Sequence, residues 1–342
     1  MKSYISFLSL VALVVGFVAF SSHTADASRL EKIRSDGKLR CGISYGLPGF
    51  SFKNTSGKWE GMDVDFCRAL SSAIFGTPDN VTYISLSAEE RYKAIKEDRV
   101  DLLSRNSTWT LHTDAGEDVN FVGIIFFDGQ GFMVPKKDGI SSVLELSGAS
   151  ICVETGTTSE RHVSDYFRAN RMPVDLVSLP SAEKVMKAYI DGQCSAVSSD
   201  ATALYARRQL FKDPDGHKVL PEIISKEPLG PAVKEDDDQW SDVVQWTLFA
   251  LINAEELGIS SNNVEIQKES PDPRVRVFLG IEGKVGQDLG LGADWGYNII
   301  KYVGNYGEIF DRNIGKDSKL GFNRGNNNLW NNTGILYAPP IR

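Results

Sequence analysis

The chain is 342 residues long, 42% hydrophobic and 24% charged, with a formal net charge of -8. This composition is globular and long enough for two domains of ordinary size or one large one. It excludes a disordered chain and lacks the basic footprint of a nucleic-acid binder.

At the N-terminus, Lys2, the apolar run ISFLSLVALVVGFVAF and the small-residue site Ala25-Asp26-Ala27 predict a secretory signal peptide over 1–27, cut before Ser28. The run is long for a signal, which leaves an uncleaved anchor as the alternative. No cysteine follows it, which argues against lipid anchoring, and no second apolar stretch of spanning length occurs. A soluble exported chain is expected.

Strands and helices then alternate. LRCGI reads as a strand, followed by a helix from Asp63, the strand NVTYISL, a helix opened by the capping box Ser87-Ala88-Glu89-Glu90, and RVDLLS. A second run follows: ASICVE, a helix from about Ser159 to Ala169, PVDLVSL, a helix near Ala182 to Asp191, and SAVSS leading to Asp200. Two α/β units in series predict two lobes with mostly parallel sheets. The segments GQGFMVPKK and PLGPAVKEDDDQW are expected to be the outward and return crossings between lobes, and two adjacent crossings make a hinge. This places lobe 1 at 28–134 and 229–342, including a C-terminal extension, and lobe 2 at 135–228. After the return, Trp240, Val243, Val244, Leu248, Leu251 and Ile252 share one helical face.

Four cysteines allow three disulfide connectivities. Cys41 lies in the first strand and Cys67 in the helix after it, while Cys152 lies in the strand ASICV and Cys194 just ahead of SAVSS. The pairs Cys41–Cys67 and Cys152–Cys194 are therefore favoured. A zinc site would need tighter spacing, and free buried thiols fit an oxidising compartment poorly.

DLLSRNSTWTLHTD, residues 101–114, begins as a buried strand and then concentrates hydroxyl and amide groups with an arginine and a tryptophan. Strand ends in open α/β sheets are where small ligands are gripped; a solvated loop is the other reading. In the second unit Gly156-Thr157-Thr158 opens a helix, whose N–H groups suit a carboxylate, although such a motif is also an ordinary cap. Asp200 ends a strand where it either meets an ammonium group or caps the next helix. Together these elements make an amphoteric pocket with charges that match an α-amino acid.

The motifs GMDVDFCRA, SRNSTWT, DGQGFMVPK, ICVETGTTSE, VLPEIISKEPLGPAV, QWTLFALINAEELGI, VGNYGEIFDRNIG and YAPPIR carry a resemblance over nearly all of the chain beyond residue 27. It resembles the periplasmic solute-binding subunit of ABC amino-acid importers, and within them the general L-amino-acid-binding branch. The resemblance implies an α/β, two-lobe periplasmic-binding-protein fold (type II) with two crossing hinge strands. It further implies a periplasmic, monomeric protein that takes an L-amino acid and meets ABC importer membrane subunits, with no cofactor, metal or nucleic acid. Asn106 and Thr108 match lobe 1 positions that contact the amino acid, Thr157 and Thr158 the lobe 2 carboxylate-binding threonines, and Asp200 the acid that pairs with the α-ammonium. Arg105 faces the side-chain end of the pocket or is a structural ion-pair residue. Tyr45 and Phe50 form an aromatic wall over the ligand or belong to the core.

The chain departs from the family pattern at Thr113, where relatives usually carry an arginine that pairs with the α-carboxylate. Neighbouring His112 lacks the forked geometry and loses its charge near neutral pH. Either Arg105 takes over the carboxylate, or amino acids bind weakly, or the ligand is not a standard α-amino acid. Two other classes stand beside transport: an exported dehydratase or lyase, for which Asp200 and Glu154 would supply acid–base chemistry, and a ligand sensor for a membrane receptor.

Overall fold

A computed structural model describes residues 28–342; the segment read as a signal peptide lies outside the described residues. After α1 (Arg29–Asp36) come β1 (Leu39–Ile43), the hairpin β2 (Phe52–Lys53) and β3 (Trp59–Glu60), α2 (Met62–Phe75), β4 (Val81–Ser85), α3 (Arg91–Lys96), β5 (Leu102–Leu103), α4 (Leu111–Ala115) and β6 (Val119–Phe121). The chain then passes through β7 (Phe126–Asp128) into β8 (Gln130–Pro135), β9 (Ser150–Glu154), α5 (Thr158–Ala169), β10 (Asp175–Leu179), α6 (Ala182–Ile190), β11 (Ala196–Asp200), α7 (Ala201–Arg208) and β12 (His217–Val219). It returns through β13 (Glu227–Leu229) to β14 (Ala232–Lys234) and α8 (Asp238–Glu256). Five further helices follow: α9 (Val264–Gln267), α10 (Pro273–Phe278), α11 (Val285–Asp288), α12 (Trp295–Val303) and α13 (Tyr306–Asn313).

Two five-stranded sheets result, in the orders β4-β1-β5-β14-β6 and β10-β9-β11-β8-β12. In each, three strands run parallel and the fourth position is antiparallel to its neighbours. That antiparallel strand, β14 or β8, is the one that enters the lobe from the crossing. The disulfides Cys41–Cys67 and Cys152–Cys194 pair as expected, one in each lobe.

The crossing falls earlier in sequence than expected. β7 and β13 form the antiparallel ladder, with Phe126 opposite Leu229, Phe127 opposite Pro228 and Asp128 opposite Glu227. The stretch read as the outward crossing is β8, inside the second sheet, so the expected boundary after residue 134 cuts that strand. Its first five residues are all buried, and a strand without a solvent face needs the interior of a sheet rather than a two-stranded link. Likewise the AVK of the return segment is β14, within the first sheet. At Gly230 a side chain would meet the carbonyl of Gly123 at 2.1 Å, so the chain can turn into lobe 1 here only on glycine.

α8 buries the apolar face read from the sequence, from Trp240 to Ile252, in the lobe 1 core. Asp237 caps it, its carboxylate accepting the Trp240 N–H at 2.8 Å, and the Trp240 indole N–H donates to the Asp101 carbonyl at 2.8 Å. That bond fixes the helix against the start of β5, the strand that leads into the polar segment.

The C-terminal extension is bound to the crossing. The Asn327 amide accepts the Phe127 N–H at 2.7 Å and donates to the Phe127 carbonyl at 3.0 Å. The Tyr306 hydroxyl donates to the Ile125 carbonyl at 2.8 Å. Arg324 holds the segment to α8 through a forked pair with Glu255, both contacts at 3.1 Å, and Phe322 packs edge-on against Tyr205 of lobe 2. Asn327 is buried, so Asn327→Ala leaves two crossing-strand groups without partners. The variant is expected to lose about 1–3 kcal/mol of stability by urea denaturation; an unchanged midpoint would show that the extension does not brace the crossing.

Candidate ligand-binding site

The carboxyl ends of β5, β9 and β11 converge between the lobes, the position that open α/β sheets reserve for ligands. A narrow cavity of about 50 Å³ lies there, lined from lobe 1 by Ser44, Leu47, Arg91, Arg105, Asn106 and Thr108. From lobe 2 come Glu154, Thr157, Thr158, Ser159, Ser199, Asp200, Ala203 and Arg207.

On the lobe 1 side, the segment after β5 is bonded to the return crossing: the Trp109 N–H donates to the Pro228 carbonyl at 2.8 Å and the Gly230 N–H to the Ser107 carbonyl at 3.0 Å. Asn106 stands at φ 34°, a left-handed conformation that asparagine tolerates. Its N–H points to the buried Asp63 carboxyl at 3.4 Å. Arg105 is only 6% exposed, and its Nε donates to the Leu86 carbonyl at 3.0 Å. That bond orients the guanidinium while its two terminal nitrogens have no acceptor among the described residues. Burial, reinforced by the positive charge of Arg91, pushes the Arg105 guanidinium down to about 10.

On the lobe 2 side, the Thr157 hydroxyl donates to the Glu154 carbonyl at 2.7 Å, so no side chain caps α5. The first N–H groups of this twelve-residue helix therefore open into the cavity, where helix polarity favours an anion. Gly156, at φ 75°, approaches lobe 1 so closely that a side chain there would touch Glu89 at 3.0 Å. Arg91 reaches across to the Gly156 carbonyl at 3.4 Å.

Asp200 stands at the N-cap position of α7 without making a capping bond. It is 8% exposed, and its carboxylate has no donor among the described residues. Burial, with the nearby charges of Asp128, Glu227 and Glu154, pushes the Asp200 carboxyl well above the ordinary range, against the pull of Arg91. Burial likewise pushes the Arg207 guanidinium below its ordinary value, with Glu154 and Asp200 opposing the shift.

The cavity thus gathers Arg105, Asn106, Thr108, Thr157, Thr158 and Asp200 from the sequence-predicted set. Phe50 is instead a core residue, 2% exposed and edge-on to Phe126 at 5.4 Å. Tyr45 is 65% exposed and does not line the cavity, whose apolar lining near that loop is Leu47. Thr113 is buried within the cap of α4: its hydroxyl donates to the Thr108 carbonyl at 2.8 Å and accepts the Thr110 N–H at 2.9 Å. It borders a second cavity of about 420 Å³ outside the first, with Arg91 and Thr157 common to both. Arg91, Arg207 and Glu227 carry no sequence signal of their own, because a charged residue on a helix or beside a proline looks like solvated surface until the fold buries it.

Two α/β lobes crossed twice by the chain and closed over a charged cavity define a solute-binding protein. The chain belongs to the bacterial extracellular solute-binding proteins, family 3, whose model matches residues 39–262. It is 49% identical to the general L-amino acid-binding periplasmic protein AapJ of Rhizobium johnstonii, over 97% of this chain and 98% of that one. It is 40% identical to the glutamate/glutamine/aspartate/asparagine-binding protein BztA of Rhodobacter capsulatus, over 100% and 99%. Among solved structures, a periplasmic binding protein of an ABC transporter from Brucella ovis with glutathione bound superposes with a TM-score of 0.91 at 49% identity, covering 92% of this chain and all of that one.

Beneath Asn106, burial pushes the Asp63 carboxyl up to about 7, against bonds from Asn106, Ser104 and Ser51 and the charge of Arg105. A carboxyl raised in the fold is protonated there while the unfolded chain has already ionised, so its contribution to stability falls as pH rises from about 4 to 7. Asp63→Asn removes this titration. Compared at each pH by thermal melting without ligand, the variant should gain on the parent between pH 5 and pH 8. A difference constant across that range would mean that Asp63 is ionised in the fold throughout.

Proposed function

We propose that this protein captures L-amino acids in the interlobe cleft, outside the cytoplasm, and delivers them as a monomer to the membrane subunits of an ABC importer. The observation that carries the reading is the presence, in one buried cavity, of a carboxylate at Asp200 that has no donor among the described residues and a guanidinium fork at Arg105 that has no acceptor among them. An α-amino acid supplies both missing partners: its ammonium satisfies Asp200 and its carboxylate takes Arg105 and the N–H groups opening α5. Arg105 then fills the place that Thr113 leaves without an arginine.

The cavity lining also carries Arg91 and Arg207 against one further acid, Glu154, and this positive excess favours ligands with an additional acidic or amide group. The names of BztA and of the Brucella ovis structure point to ligands of that kind. Binding rather than catalysis is favoured because Asp200 is placed to neutralise charge and because the close relatives are named as binding proteins.

Calorimetry against the twenty L-amino acids tests the reading. Asp200→Asn is expected to weaken the tightest binder by about 2–5 kcal/mol while leaving the melting temperature within a few degrees. An ammonium stabilises the ionised form of a carboxyl whose affinity for protons is raised, so binding near neutral pH should release protons and tighten as pH rises. Titrations in buffers of different ionisation enthalpy measure that release, and Asp200→Asn should abolish it. No binding across the panel, or turnover of a bound amino acid, would overturn the reading.

A further inference from the structure

Glu227, the first residue of the return crossing, is 0% exposed and joins both lobes. One carboxylate oxygen, Oε2, accepts the Thr108 hydroxyl of lobe 1 at 2.6 Å and the Thr158 hydroxyl of lobe 2 at 3.0 Å. The other, Oε1, accepts the Ser225 hydroxyl at 2.5 Å and lies 2.9 Å from His162 Nδ1. That nitrogen is also 3.1 Å from Gln130 Oε1. The Gln130 amide nitrogen is committed as a donor to Ser198 and the Ser159 carbonyl, so both neighbours of Nδ1 are acceptors and Nδ1 carries a proton. Burial alone would raise the Glu227 carboxyl, but the donors His162, Ser225 and Thr108 outweigh it and hold it below its ordinary value. It is therefore an ionised, acceptor-only group with four donors.

A threonine hydroxyl has one proton and two lone pairs. At Thr108 and Thr158 that proton is spent on the same Glu227 oxygen. The 3.4 Å approach between the two hydroxyls then has no proton to share, and what each presents to the cavity is a lone pair. Two acceptor oxygens beside a carboxylate bind an ammonium and repel a carboxylate.

We propose that Glu227 is a positioning residue that fixes the polarity of the Thr108 and Thr158 hydroxyls as acceptors, so that with Asp200 they form the corner that holds the ligand's α-ammonium. The inference rests on the amino-acid reading of the site and adds to it the role of Glu227 and of the two hydroxyls it orients. The α-carboxylate lies at Arg105 and the N–H groups that open α5, and Thr158, which the family pattern marks as a carboxylate-binding threonine, serves it through its backbone and not its hydroxyl. The same carboxylate couples ligand to closure, because its two threonine donors come from opposite lobes and meet on one oxygen only when the lobes are shut.

The test uses calorimetry of the whole protein with the twenty L-amino acids and, for the tightest, its methyl ester, which keeps the ammonium and removes the carboxylate charge. Glu227→Gln replaces the carboxylate with an amide: its carbonyl stays on the His162 Nδ1 proton, and its NH2, facing Thr108 and Thr158, turns at least one hydroxyl proton into the cavity. Binding of the free amino acid and of its ester should weaken by the same factor, tenfold or more. In a Thr108→Val, Thr158→Val background the same change should cost less than threefold, since there is no hydroxyl left to orient. Undiminished affinity in Glu227→Gln, or an equal loss with and without the threonines, overturns the proposal while leaving the amino-acid reading intact; absence of binding by the parent overturns both. If Glu227→Gln does not fold, Thr158→Val decides alone. Acceptance from an ammonium predicts equal losses for acid and ester, and donation to a carboxylate predicts a loss confined to the acid.

Discussion

Both lobes hang on a ladder of three residue pairs, β7 against β13. So short a link fixes the relative path of the chains but bends easily, since two-stranded pairs have little stability of their own. Its supports therefore decide how the molecule moves. On one side the segment after β5 is bonded to the return strand through Trp109, Ser107 and Thr108, so the binding loop of lobe 1 and the crossing move as one piece. On another, Asn327 occupies both backbone groups of Phe127. The stretch that reaches the crossing, around Asn327, lies beyond the 39–262 matched by the family model, so in this chain residues outside the common core take part in its hinge.

Between the lobes, the cavity holds charge that the protein does not pair internally. Among the described residues Asp200 has no donor and the outer nitrogens of Arg105 have no acceptor, and both side chains are buried. Burying an ion without its partner is costly, and each ionisation responds: Asp200 is pushed up, Arg105 and Arg207 down. A zwitterion inserted between them removes both penalties at once. Because groups from both lobes are needed, that gain is available in full only to the closed form, and a ligand shifts a conformational equilibrium by no more than its preference for one state. Glu227 contributes to the same preference from the hinge, its ionised carboxylate being satisfied by donors from both sides.

The fold was legible where the signal was local and repeated. Two βαβαβ runs, the apolar face of α8 and the cysteine placements led to the two lobes, the core helix and both disulfides. The crossing was displaced because GFMVP and a linking strand look alike by composition; burial on both faces, a tertiary property, separates them. Six residues expected in the cleft do meet there, since strand ends and a helix N-terminus are sequence-readable features. Tyr45, Phe50 and Thr113 do not join them. The direction of an aromatic in a loop depends on packing, and Thr113 closes the α4 capping box with Thr110, a local bond that competes for the same hydroxyl. Arg91, Arg207 and Glu227 were invisible because their importance comes from long-range burial.

Capture by the closed lobes depends on the orientation of the ligand between Arg105 and Asp200. A crystal structure of the protein with its tightest-binding L-amino acid, at a resolution that separates ammonium from carboxylate by their hydrogen-bond partners, tests it most directly. The α-nitrogen is expected within hydrogen-bond distance of Asp200 and the Thr108 hydroxyl, and the carboxylate against the Arg105 fork and the first turn of α5. A carboxylate seated on the Thr108 and Thr158 hydroxyls, or a ligand outside the interlobe cavity, would contradict it.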